Sequence, residues 1–199
     1  MRVALLDLGV GNLHSLEKAL VAAAPGAEVT VEAELRPALG ADLVVLPGVG
    51  AFSPAAARLA PTRAELARAL RNGLPCIGIC LGMQLLFESS EEGGGDGVAL
   101  FPGRVTKLAT PRAPHMGWST LTPSAEAPRW PWPTAVYYAH SYACRAERAD
   151  QVLATTTLEG DTFPAVVRAA NTVGCQFHPE KSSSEGITFL AALIREVTT

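Results

Sequence analysis

The chain has 199 residues, 48% of them hydrophobic, which is enough for one good core, and nothing in its composition marks a second domain, so a single domain over 1–199 is expected. Its 16 Lys and Arg against 19 Asp and Glu give a net charge of -3 with no basic stripe, which argues against nucleic acid or an anionic membrane surface as partner. Asp7 interrupts the N-terminal apolar run too early for a signal peptide, and no uncharged apolar stretch could span a bilayer, so a soluble, cytoplasmic protein is expected.

In chain order, residues 2–8, 27–32, 41–46 and 74–79 are predicted strands, three of them near-continuous apolar runs of the kind that buried parallel strands require. Between them, 13–23 and 55–70 carry helical spacing, with Ser53-Pro54 as cap and first turn of the second helix. The alternation predicts an α/β fold with a doubly wound, mostly parallel sheet. Gly9-Val10-Gly11 follows the first strand, but His14 stands where a dinucleotide fingerprint needs its third glycine.

Gly78-Ile79-Cys80-Leu81-Gly82 lies between a short apolar strand and a stretch of helix formers. The pattern is that of a nucleophile elbow, in which a strained strand-to-helix turn exposes the reactive atom and glycines clear the crowded backbone. It sets Cys80 at a helix N-terminus and at a strand's carboxyl end, where open parallel sheets place ligands. Cysteines so placed can have a pKa lowered from ~8.5 into roughly the 3.5–7.5 range. On the pentapeptide alone, a small buried cysteine closing a tight turn fits equally well.

Residues 91–97 are polar and glycine-rich, and 111–133 hold six prolines; both are expected to be loops of a compact domain. Strands are then predicted at 134–138, 151–157, 165–169 and 172–177, adding antiparallel pairs, before a closing helix over 184–197. Gly174-Cys175-Gln176-Phe177-His178-Pro179-Glu180 supplies what an elbow cysteine needs, a base and a carboxylate to fix its tautomer. In an extended strand His178 and Glu180 would share one face with Cα atoms roughly 6.5 Å apart, and Pro179 is expected to enforce that geometry. An isolated His-Pro-Glu would be a surface histidine at a strand end; the elbow cysteine in the same chain is what favours a base.

Four cysteines, Cys76, Cys80, Cys144 and Cys175, point to free thiols in a reducing compartment. Zinc fails on spacing. Cys76 and Cys80 would lie roughly 13 Å apart along a strand, whereas thiolates sit ~2.3 Å from a shared zinc, and Cys175 and His178 would face opposite sides. No metal is predicted.

Gly78-Ile79-Cys80-Leu81-Gly82-Met83-Gln84 together with Gln176-Phe177-His178-Pro179-Glu180 resembles the paired signature of class I, triad-type glutamine amidotransferases. Within that class, the segments 7–13, 46–52, Pro114-His115-Met116-Gly117-Trp118, Tyr138-Ala139-His140-Ser141-Tyr142 and Lys181-Ser182 resemble the family of glutaminase subunits of imidazole glycerol phosphate synthases. The likeness runs from the first predicted strand to the last helix. Leu8 stands where a Tyr is usual and Ser119 where an Asn is usual; both lie outside the triad and bear on local packing or partner contacts.

The resemblance implies a flavodoxin-like fold and hydrolysis of L-glutamine through a thioester on Cys80, with His178 as acid then base and Glu180 as its orienter. It implies oxyanion donors at Leu81 and in the Val49-Gly50 loop, each typically worth ~2.7–4 kcal/mol, and glutamine recognition by Gly50, Gln84, His140, Ser141 and Tyr142. On the residues alone Gln84 reads as an ordinary polar helix residue and His140 as a satisfied core histidine. No cofactor is implied. The ammonia calls for a separate partner, by resemblance a (βα)8-barrel cyclase reached through a channel, with Asn12, Trp118 and Lys181 as interface candidates; plain core packing also fits Trp118. A glutaminase of another synthase, or a silent regulatory subunit of the same fold, are the alternatives, and the complete Cys80, His178 and Glu180 set speaks against the silent one.

Overall fold

The computed structural model describes residues 1–11 and 13–199, so Asn12 lies outside the described residues. The first half alternates β1 (Arg2–Leu6), α1 (His14–Ala23), β2 (Glu28–Glu32), α2 (Leu35–Ala38), β3 (Leu43–Leu46), α3 (Phe52–Leu59), α4 (Arg63–Arg71), β4 (Cys76–Ile79) and α5 (Leu81–Leu85). The second half is strand-rich: β5 (Ser89–Ser90), β6 (Gly103–Lys107), β7 (His115–Thr120), β8 (Thr122–Pro123), β9 (Ala135–His140), β10 (Tyr142–Ala146), β11 (Val152–Leu158), β12 (Asp161–Ala169) and β13 (Thr172–Cys175), closed by α6 (Ser183–Thr198).

One eight-stranded sheet has the order β2-β1-β3-β4-β13-β12-β11-β8. The first five strands are parallel, the flavodoxin-like order, and β12, β11 and β8 extend them antiparallel. The doubly wound α/β expectation therefore holds. Because side chains alternate along a strand, β1 sends Val3 and Leu5 into one core and Ala4 and Leu6 into the other. Helices α1 and α6 cover the first face, and α2 to α5 the second. Both faces being covered is why these strands read as unbroken apolar runs. Among the described residues, no helix is long and apolar enough to cross a membrane.

Several boundaries differ from expectation. The helix read over 55–70 is two helices, broken where Pro61 follows Ala60. It begins at Phe52 rather than at a Ser53 cap, and the Phe52 N–H donates to Glu92 Oε2 at 2.9 Å, a cap supplied from forty residues away. The proline-rich stretch is not all loop. His115–Thr120 pairs antiparallel with Ala135–His140, from His115 opposite His140 to Thr120 opposite Ala135. Beside it, β10, β6 and β5 form a further three-stranded sheet. These two small sheets carry the residues that wall the site.

Candidate active site

The elbow forms as the pattern demands. Cys80 has φ +48° and ψ -101°, a conformation that non-glycine residues rarely adopt and that costs on the order of 1–3 kcal/mol. The neighbours hold it there. The Cys80 N–H donates to the Cys175 carbonyl at 2.6 Å, and a side chain at Gly82 would collide with the Leu46 carbonyl. The Sγ is thereby lifted one strand over from the β1/β3 point where strand order reverses.

His178 sits just past β13, the strand next to β4, and its backbone is extended with φ -102° and ψ 95°. Glu180 does not continue a strand. Pro179–Lys181 turn into a single 3-10 turn, because the fixed φ of proline suits the first position of a helix as well as a strand. The pair still meets, with Glu180 Oε1 2.8 Å from His178 Nδ1, and both side chains are almost wholly buried. That contact engages Nδ1 and leaves Nε2 as the ring nitrogen open to Cys80, whose side chain acts on the imidazole. Burial pulls the imidazole toward neutrality, but the charge and hydrogen bond of Cys80, followed by those of Glu180, outweigh it and hold the pKa up to about 10. The imidazolium is the form of His178 so favoured.

The other cysteines sit differently. Burial pushes Cys76 up to about 12 and raises Cys144 and Cys175 as well, so these thiols stay protonated and inert.

The turn around His178 is braced from two sides. Ser182, fully buried, donates through Oγ to the His178 carbonyl at 2.6 Å and accepts the Tyr137 N–H at 3.0 Å. The Tyr137 carbonyl in turn accepts the His178 N–H at 2.9 Å. Tyr137 lies on β9 and meets Trp118 of β7 edge-on, the ring centroids 6.1 Å apart. Trp118 is 55% exposed, so it is not core packing. Lys181 is exposed on the same turn as Glu180, though on a 3-10 turn rather than an extended strand.

A cleft of about 260 Å³ is lined by Gly50, Gln84, His140, Ser141 and Tyr142, all five residues implicated in substrate recognition, together with Glu92, Pro114, Met116 and Ala139. The Tyr142 carbonyl accepts from both Gln84 Nε2 and His140 Nδ1, each at 2.8 Å. A carbonyl can only accept, so Nδ1 of His140 carries the proton. Its bare Nε2 is buried without a partner, and burial together with its neighbours lowers the pKa to about 3. His140 is thus a neutral wall residue. Glu92 is the cleft's carboxylate, and sequence reasoning missed it; the available signal was an acid pair opening the glycine-rich loop that follows the nucleophile helix.

Of the residues expected as oxyanion donors, Leu81 points its N–H at the Gly48 carbonyl, 3.4 Å away. Val49 is 39% exposed, and Gly50 takes φ +135°, a value open to glycine.

Fold and site together define a class of protein, and residues 4–195 match the family model of class-I glutamine amidotransferases. Among curated relatives, the chain is 43% identical to "Imidazole glycerol phosphate synthase subunit HisH" of Bacillus cytotoxicus, covering 95% of this chain and 92% of that one. It is 40% identical to the protein of the same name from Thermosynechococcus vestitus over 98% of each, and 39% identical to that of Pyrococcus furiosus over 95% and 96%. The chain belongs to the class-I glutamine amidotransferases and, within them, to the family of these HisH subunits. Solved structures agree on the fold: a glutamine amidotransferase with TM-score 0.73, 17% identity and 99% coverage of both chains, and a chain of PurLQS from Thermotoga maritima with TM-score 0.73, 18% identity and 98% coverage of both.

Proposed function

We propose that this chain, as a single domain, hydrolyses L-glutamine with Cys80, His178 and Glu180 and hands the ammonia to a partner subunit in histidine biosynthesis. The observation that carries this is the buried His178–Glu180 contact, just past the strand next to a strained elbow cysteine that acts on the same imidazole. Cys80 thiolate attacks the carboxamide carbon, and His178 gives its proton to the leaving nitrogen, so ammonia departs and a thioester remains. Neutral His178 then takes a proton from water, whose oxygen attacks the thioester; glutamate leaves and the thiolate returns. Glu180 keeps Nδ1 protonated through both halves. Glu92 is a counter-charge for the substrate ammonium. No cofactor is required.

Twice in this cycle a carbonyl oxygen becomes an oxyanion, and the Gly48 carbonyl competes for the Leu81 donor each time. The isolated chain is accordingly a poor glutaminase until the peptides of 48–50 turn and bring a Val49 or Gly50 N–H inward. A (βα)8-barrel cyclase is the partner, with Trp118, Lys181 and Asn12 at the interface. Exposed Trp118 leans on Tyr137, whose peptide groups hold His178 and Ser182, which gives docking a short mechanical route to the base. Four buried free thiols suit the reducing cytoplasm.

The test is glutamate release from wild type and Lys181→Ala, each alone, with cyclase, and with cyclase plus its ribotide ligand. Strong activation of wild type by liganded cyclase, and an about tenfold weaker response in Lys181→Ala, is expected. Full activity of the lone chain contradicts the coupling, and equal activation of both proteins removes Lys181 from it.

A further inference from the structure

Gln176 is fully buried, yet the reaction as derived so far gives it no role. Its place is set by a chain of three hydrogen bonds whose directions are forced. The Tyr142 carbonyl can only accept, so the Gln84 amide must present its NH2 there, at 2.8 Å. The same nitrogen's other N–H then donates to Gln176 Oε1 at 3.3 Å. With its oxygen so engaged, Gln176 must aim its own NH2 the other way, and Nε2 lies 3.5 Å from Cys80 Sγ.

No other acceptor partners that nitrogen among the described residues. A neutral thiol is a weak acceptor and would leave a buried amide nearly unsatisfied, whereas a thiolate makes a charge-assisted bond roughly twice as strong as a neutral one. We propose that Gln176 is a catalytic residue: its side-chain N–H groups hold the Cys80 thiolate, and through Gln84 they tie the state of the sulfur to the wall of the substrate cleft. When the thioester forms, the sulfur loses its charge and the bond weakens; when water cleaves the thioester, the returning thiolate regains it. The donor thus favours the thiolate as leaving group in the hydrolytic half. This rests on Cys80 being the nucleophile.

The experiment measures the rate of Cys80 alkylation by iodoacetamide as a function of pH, read by mass spectrometry of the Cys80 peptide, in which the thiolate displaces iodide. Gln176→Met keeps the volume and removes the donor; Gln176→Glu keeps the shape and sets a carboxylate against the sulfur. The midpoint should rise by about one pH unit in Gln176→Met and further in Gln176→Glu, each checked for folding by circular dichroism. In wild type, the side-chain NH2 resonance of Gln176 should titrate at the alkylation midpoint and lose that step in Cys80→Ala, a reading that requires neither Gln176 variant to fold. An unchanged midpoint in folded Gln176→Met, or a Gln176 resonance blind to Cys80 ionisation, overturns the role. Absence of alkylation at Cys80 in wild type instead overturns the nucleophile assignment.

Discussion

Cys80 and His178 follow neighbouring parallel strands, with Ile79 in register with Cys175, yet their turns are held by different means. The elbow is fixed by sterics from within: a strained φ, a backbone bond to Cys175 and a Gly82 that touches Leu46. The histidine turn is fixed by polar contacts that lead outward, through Ser182 and Tyr137 to an exposed Trp118. A cysteine set by packing is held from within. A histidine set by a hydrogen-bonded brace is open to adjustment from the surface.

Four substitutions sharpen that contrast. The largest effect is expected at the elbow: Cys80→Ala should drop glutamine turnover by about 10⁵-fold or more while the melting temperature and partner binding stay near wild type. Cys144→Ala, which removes an inert buried thiol, should keep turnover apart from a packing loss read in thermal melts. Next comes Glu180→Gln, which keeps the shape but cannot balance an imidazolium; steady-state kinetics should show kcat lower by about 10⁴-fold with little change in KM.

Ser182→Ala removes one side chain that serves two backbone groups and leaves the Tyr137 N–H and the His178 carbonyl buried without it. Stability should fall by about 2–3 kcal/mol in urea titrations, with activity reduced about tenfold and the alkylation rate of Cys80 changed less. Equal losses at base and nucleophile would erase the distinction between the two turns.

The last effect is one of pH. His140 is held neutral in the fold to about pH 3 against an ordinary value of 6.5, so between those values the unfolded chain binds a proton that the folded chain refuses. Stability should therefore be lost on acidification through that window, at about 1.4 kcal/mol per pH unit. Burial, and then Arg112, lowers His115 as well, so part of the slope belongs to it. His140→Gln should flatten the decline in denaturation midpoint between pH 6.5 and 4.5, and an unchanged slope would assign the acid sensitivity to other groups.

The parallel half of the fold was legible because apolar run lengths and glycine positions record backbone constraints directly. Cys80 was found that way, and the strand starts fell within about two residues. His178 and Glu180 were paired correctly on a mistaken backbone: Pro179 was read as extended, whereas the same fixed φ begins a 3-10 turn. β7 stayed hidden among prolines since nothing in 111–133 alternates cleanly, and its partner β9 lies across the loop. Gln176 was quoted as part of a motif without a role, because only the directions of three hydrogen bonds reveal what its amide faces. The Gly48 carbonyl facing the Leu81 N–H had no signature at all, as peptide orientation is not written in side-chain type.

The central claim is that Cys80 attacks a glutamine carboxamide. It is tested most directly by treating wild-type protein with an electrophilic glutamine analogue, such as a diazoketone, and mapping the adduct by peptide mass spectrometry. The account predicts one adduct per chain on Cys80, slowed by glutamine and lost in Cys80→Ala. Labelling of Cys144, Cys76 or Cys175 in preference to Cys80 would contradict it.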